Sequence, residues 1–186
     1  MSHRVAILGA GIGREHLDGY RALGDRFHIS HVCDLNTEKA QELSARCGAR
    51  TETDIDTVLA DDTVDLVDVC LPPAMHFPVV GRVLRSDKHA ICETPLADSP
   101  ERARELAGLS EATGTSVFPV FQYRFGWSIY ALLALREAGL LGDAQAGSLE
   151  THWNRGADYY QNPWRGTWEH ELGGAILSHA IHIHDL

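Results

Sequence analysis

Several features that would point to other protein classes are missing from these 186 residues. No apolar run is long enough to cross a bilayer, and residues 1–4 lead into the first apolar run without the pattern of a secretory leader. The net charge is −10 and no basic run occurs, which argues against nucleic acid or a membrane surface as partners. We therefore expect neither nucleic acid nor a membrane as a partner.

Cysteine is scarce, and its spacing matches no zinc pattern. Three of the four cysteines, Cys33, Cys70 and Cys92, end apolar runs, where a free thiol behaves as a small hydrophobe. The fourth, Cys47, directly follows the helix that we predict as far as Arg46. We predict reduced thiols, a cytoplasmic location and no metal.

The most informative stretch is an apolar run that meets a glycine cluster, VAILGAGIG at 5–13. It predicts a buried parallel strand turning into a helix, with backbone N–H groups facing outward. Gly9 would permit the turn, and Gly11 would let a pyrophosphate approach the backbone. The third position of the G-x-G-x-x-G fingerprint is Arg14, and the third glycine comes one residue early as Gly13. A plain strand-to-helix turn is the alternative.

An acidic residue follows the next predicted strand. Asp34 lies roughly 20 residues beyond the glycines, where an NAD site needs a carboxylate for the ribose hydroxyls. It could instead cap the following helix. Because the charge of Asp34 would repel the 2′-phosphate of NADP, we expect the cofactor to be NAD in preference to NADP.

Short apolar runs alternate with helical patterns as far as residue 122. This order predicts an α/β fold, a Rossmann-type doubly wound parallel sheet with helices on both faces. Ligands of such sheets bind outside the carboxyl ends of the strands. The candidate cofactor-binding residues at that edge are Gly9, Gly11, Ile12, Gly13, Asp34, Pro72, His76, Glu93 and Gln122.

The pattern changes after Gln122. We predict a helix over 128–138 and a strand over 145–153, as the beginning of a second, α+β domain. The loop 154–171 is rich in aromatic and polar residues, which suits either a wet cleft wall or an interface patch. A histidine-rich segment, 175–186, follows as a helix.

In this order the residues resemble the glucose-fructose oxidoreductase, inositol dehydrogenase and rhizopine-catabolism (Gfo/Idh/MocA) family. The matching features are the turn at Gly9–Gly13 followed by Arg14-Glu15-His16, Asp34, Pro72-Pro73 with His76, Glu93-Thr94-Pro95, Arg124-Phe125, Gly139 to Gly142, Gly173-Gly174 and the His182-x-x-Asp185 ending.

The resemblance implies a two-domain NAD(P)-dependent dehydrogenase that acts on a sugar, polyol or inositol-like hydroxyl and forms a homo-oligomer when complete. Residues 1–122 would be the NAD(P)-binding domain. Residues 123–186 would be only part of the substrate and oligomerisation domain. The substrate-binding candidates are Glu93, Arg124, Trp164, Ser178 and Asp185.

Two departures from the family pattern touch the chemistry. The usual catalytic lysine is Thr94 here, and the usual aspartate is Ser178, which leaves His182 as the candidate base and Thr94 as a hydrogen-bonding partner for substrate. Loss of those groups favours a second hypothesis, a non-catalytic dinucleotide-binding protein. A third is metal-dependent hydrolysis, with His179 and His182 binding zinc beside Asp185 or Glu171.

Overall fold

The computed structural model describes residues 2–186. The chain divides into two compact units, Met1–Pro119 and Val120–Leu186. Among the described residues, no helix is both long and apolar enough to span a membrane.

The first unit is a six-stranded parallel sheet in the order β3-β2-β1-β4-β5-β6. Its strands are β1 (His3–Leu8), β2 (Phe27–Cys33), β3 (Arg50–Glu52), β4 (Leu66–Val69), β5 (His89–Cys92) and β6 (Val117–Pro119). The helices between them are α1 (Gly13–Ala22), α2 (Thr37–Ala45), α3 (Ile55–Leu59), α4 (His76–Arg85) and α5 (Pro100–Thr113). The strand order reverses between β1 and β4, which opens the crevice where such sheets bind nucleotides. The predicted Rossmann-type fold is confirmed.

Both faces of the sheet are buried because successive side chains of a strand point to opposite sides. In β1, Val5 and Ile7 pack with α1 and α2, while Ala6 and Leu8 pack with α3, α4 and α5. The helices therefore cover both faces, as predicted from the nearly continuous apolar runs.

Local signals place the helix ends. The side chain of Asn36 accepts a hydrogen bond from the amide of Lys39 at the start of α2, and Ser99 does the same for Arg102 in α5. Gly114 ends α5 in the left-handed conformation that glycine adopts without strain.

The second unit contains helices α6 (Trp127–Glu137), α7 (Trp168–Glu171) and α8 (Ile181–His184), and a π-helical turn, Ile176–Ala180, leads into α8. The strand predicted over 145–153 is absent, since residues 142–156 have no regular structure. A strand needs a neighbour for its backbone groups. Among residues 120–186, all of them described, there is no strand to provide one. The alternation of apolar and polar residues over 145–153 was therefore insufficient to predict a strand.

Candidate functional site

The glycine turn after β1 is closely packed against its neighbours. Gly9 has a φ of +99°, and a Cβ there would overlap the carbonyl oxygen of Cys70 at the end of β4. Its N–H donates to the carbonyl oxygen of Cys33, at 2.8 Å. Only glycine combines this dihedral with this close approach.

The next two glycines differ in what surrounds them. A Cβ on Gly11 would meet no protein atom within 4 Å, whereas a Cβ on Gly13 would lie 2.6 Å from Cγ2 of Ile7. Gly13 therefore performs the helix-packing role of the third fingerprint glycine, one residue earlier than usual. Gly11 leaves open space beside the backbone, and Ile12 is exposed next to it.

Asp34 lies beside the glycine turn and is hydrogen-bonded to it. One carboxylate oxygen accepts the N–H of Ala10 at 2.8 Å, and the other accepts the N–H of Asn36 at 2.8 Å. Asn36, and not Asp34, caps α2. A carboxylate has further lone pairs available for ribose hydroxyls after these two bonds.

A buried polar network lies between α1 and the ends of β4 and β5. Nδ1 of His16 is 2.9 Å from a carboxylate oxygen of Asp68, and Nε2 is 3.0 Å from Oε1 of Glu93. The Tyr20 hydroxyl donates to Asp68 at 2.9 Å. Oε2 of Glu93 accepts the backbone N–H of Thr94 at 3.1 Å. Glu93 is thus held in place from both oxygens.

This network shifts the pKa values of its members. Burial alone would lower the pKa of His16, but hydrogen bonds to Asp68, Cys70 and Glu93 outweigh it and raise the pKa well above its usual value. Burial opposes ionisation of Glu93, yet the contacts with His16 lower its pKa. Burial and the Asp68 charge raise the pKa values of Tyr20 and Cys70.

His76 and Pro72 shape the edge of the crevice through the backbone. Pro72 precedes a short turn, Pro73–Met75, that leads into α4. The His76 side chain is fully buried, and its ring nitrogens lie 2.7 Å from the carbonyl oxygens of Leu71 and Pro95. The ring of His76, a predicted cofactor-binding residue, holds the loop after β4 to the turn after β5.

The candidates of the second unit form a separate set of contacts. Arg124 makes a bidentate ion pair with Asp185, at 2.6 and 2.5 Å. His182 is buried and packs against the rings of Phe121 and Tyr123.

Ser178 is engaged locally. Its hydroxyl donates to the carbonyl oxygen of Gly174 at 2.6 Å and contacts Nδ1 of His179 at 2.8 Å. Ser178 lies in the π-helical turn that leads into α8, the helix that contains His182. Gln122 is exposed in the turn that starts this unit.

The aromatic loop 154–171 is held by stacked cations. The Arg155 and Arg165 guanidinium groups lie 4.7 and 4.5 Å from the ring centroid of Tyr159, and Arg165 also lies 3.9 Å from that of Trp164. Buried Glu171 pairs with Arg165 at 2.9 Å. Trp164 and Glu171 are therefore tied into the loop itself.

The first unit thus brings together the glycine turn, Asp34 and Glu93 with Thr94. The sequence interpretation missed Asp68 and Tyr20 as parts of this edge. One signal was available: Asp68 is the lone charged residue within the apolar strand β4, and a fully buried carboxylate requires partners.

Comparison with known proteins gives a consistent result. A family model described as an oxidoreductase family with an NAD-binding Rossmann fold (Gfo/Idh/MocA) matches residues 3–121. The chain is 37% identical over 113 residues to 4-carboxy-2-hydroxymuconate-6-semialdehyde dehydrogenase from Sphingobium sp., covering 60% of this chain and 36% of that protein. It is 31% identical over 158 residues to inositol 2-dehydrogenase from Rubrobacter xylanophilus, covering 83% and 44%.

The structure resembles that of the WlbA dehydrogenase from Bordetella pertussis in complex with NADH and UDP-GlcNAcA, with a TM-score of 0.93 and 28% identity. The match covers 100% of this chain and 54% of that one. The chain therefore spans about half the length, or less, of these proteins.

Proposed function

The chain belongs to the Gfo/Idh/MocA oxidoreductase family, and from that premise we propose that its first unit binds NAD. The protein would transfer a hydride between the nicotinamide and a hydroxyl or keto carbon of a sugar, polyol or inositol-like substrate. The relatives named as an inositol dehydrogenase and as a dehydrogenase with a bound nucleotide sugar support this substrate class.

The observation that carries the proposal is the open space at Gly11, next to the Asp34 carboxylate. A glycine that no protein atom crowds, on a turn that precedes a helix, fits the close approach of a pyrophosphate. Asp34 would accept hydrogen bonds from the adenosine ribose. Ile12, Pro72 and Gln122 would complete the cofactor contacts.

The residues proposed for substrate chemistry keep distinct roles. His182 would take the proton from the substrate hydroxyl, since a neutral imidazole is a suitable base. Thr94 would hydrogen-bond the substrate, and Glu93 would present its carboxylate beside it. Arg124, Trp164, Ser178 and Asp185 would form the substrate wall, with Arg124 and Asp185 acting as a pair. The cofactor, when bound, supplies the hydride acceptor.

The decisive experiment is a fluorescence titration of the 186-residue chain with NADH. Gly11→Ala should weaken binding at least about tenfold, because the new methyl group occupies the space of the pyrophosphate. The matched control is Gly108→Ala, a helical glycine with equally open surroundings. Equal affinities for all three proteins would contradict the proposal.

A non-catalytic binding protein is the second candidate, favoured by Thr94 and Ser178 at the usual lysine and aspartate positions. It would bind NADH as predicted, but the complete protein would form no NADH from polyols, sugars or hydroxy acids.

The four cysteines, which are free thiols, support the proposed reducing, cytoplasmic location.

A further inference from the structure

The two ring nitrogens of His16 both face carboxylates, which constrains the charge of the ring. Nδ1 lies 2.9 and 3.1 Å from the two oxygens of Asp68, and Nε2 lies 3.0 Å from Glu93. A neutral imidazole donates from one nitrogen only, and its second nitrogen would direct a lone pair at an acceptor. An imidazolium satisfies both contacts.

We propose that His16 is a permanently protonated positioning residue that fixes Glu93, and with it the Glu93-Thr94-Pro95 turn, to helix α1. On one side the ring contacts Asp68, to which the Tyr20 hydroxyl donates, and Sγ of Cys70 lies 3.5 Å from Nδ1. On the other side the ring contacts Oε1 of Glu93, and Oε2 of Glu93 accepts the backbone N–H of Thr94. The position of the ring therefore restrains Glu93 and the start of the turn. The network connects the helix that begins at the glycine turn with the turn after β5.

The position of His16 in its helix shows what the charged ring has to overcome. It is in the first turn of α1, which starts at Gly13, and a cation there is opposed by the helix dipole. The side chain is mostly buried, and Asp68 is fully buried. Asp68 and Glu93, at 2.9 and 3.0 Å, are the groups that would have to outweigh the helix dipole.

The ring also changes the local charge. Asp68 and Glu93 place two carboxylates at the edge where an anionic pyrophosphate is expected, and the imidazolium offsets one of them. This consequence for cofactor affinity rests on the proposed function. The positioning of Glu93 and Thr94 does not, because it is a property of the chain alone.

The first test is ¹⁵N NMR of the histidine side chains in the 186-residue chain, with the His16 signals assigned by their loss in His16→Gln. We expect both ring N–H groups to persist from about pH 5 to 9, whereas free histidine in the same buffer loses one proton. A single N–H on His16 at neutral pH would overturn the proposal.

The second test separates positioning from general stability. Amide exchange at Thr94, whose N–H donates to Glu93, should become at least about tenfold faster in His16→Gln. The control is the amide of Gly9, which donates to Cys33 and should keep its rate. If both amides accelerate together, or neither does, His16 does not position Glu93.

The third test is a double-mutant cycle on NADH affinity. His16→Gln should weaken binding about tenfold, and it should have no further effect in a Glu93→Gln background, because His16 acts through Glu93. Additive effects would contradict the route through Glu93. If the unaltered chain binds no NADH, the proposed function fails, while the NMR and exchange results still decide the role of His16.

Discussion

At the scale of single residues, we propose that Asp34 sets the preference between NAD and NADP. Its carboxylate would accept ribose hydroxyls and repel a 2′-phosphate, so we predict that NAD binds at least about tenfold more tightly than NADP. Asp34→Asn removes the charge but keeps an oxygen for the Ala10 N–H, and should narrow the preference. Titration of both oxidised cofactors measures it; a preference for NADP would refute the assignment.

His16 predicts how stability depends on pH. Because its pKa is raised in the folded protein, its contribution is complete below the unfolded value of about 6.5 and is lost as pH rises toward the folded value. The free energy of unfolding should therefore fall above about pH 6.5, by up to about 1.4 kcal/mol per pH unit.

Urea denaturation at about pH 6, 7.5 and 9 tests this slope. His16→Gln should flatten it, whereas His28→Gln, an exposed position on β2, should retain it. Burial also raises the pKa values of Tyr20 and of the thiols of Cys33, Cys70 and Cys92, so these groups lower the stability only as pH nears their unfolded values of about 10 and 9, and they are present in both variants. Identical slopes in the two variants would show that another group is responsible.

His182 is the residue on which turnover of the complete protein should depend. His182→Ala should lower turnover by about 10²–10⁴-fold, the usual effect of losing a general base. NAD affinity should hardly change. Thr94→Ala should mainly raise KM, because a hydroxyl can hold a substrate but cannot deprotonate it. Steady-state kinetics of both variants, with one active polyol at several pH values, measure kcat and KM. Near-normal turnover of His182→Ala would show that another residue is the base.

At the scale of secondary-structure elements, the packing of α1 on β1 depends on Gly13. A methyl group there would press on Ile7, so Gly13→Ala should destabilise the first unit by about 1–3 kcal/mol. Thermal unfolding measures this cost. Gly19→Ala, in the same helix with nothing near its Cβ, is the control and should be neutral or stabilising. Equal stabilities would mean that α1 shifts to accommodate the methyl group.

The sequence predicted the elements of the first unit well because local signals and tertiary packing agree there. Apolar runs mark its strands, and residues such as Ser99 and Gly114 mark its helix ends. The strand over 145–153 was wrong because pairing is not a local property. Asp68 was overlooked for a similar reason: its partners are distant in sequence, and no periodicity indicates them.

At the scale of the whole molecule, helix α6 leaves apolar surface uncovered. None of its residues is buried, and Trp127 is 90% exposed, with Phe125 just before the helix 71% exposed. Apolar patches of this kind mark interaction surfaces. We predict that the 186-residue chain self-associates despite its net charge of −10.

Light scattering coupled to size-exclusion chromatography tests this prediction. Trp127→Glu should shift the chain toward the monomer, whereas Leu23→Glu, on an exposed leucine of the first unit, should not. A monodisperse monomer for the unaltered chain would contradict it. We also predict that the residues after about 154 are partly disordered, and hydrogen exchange along the chain measures this independently.

The two bonds of Asp34 have a consequence for the evolution of this lineage. The carboxylate that would select the cofactor also accepts the N–H of Ala10 in the glycine turn. Cofactor specificity and the shape of the turn would therefore depend on the same side chain. A mutation toward a basic or small residue would release the turn before any gain in binding a 2′-phosphate. A lineage changing its cofactor would need a prior substitution that holds Ala10 by other means, which makes the order of mutations decisive.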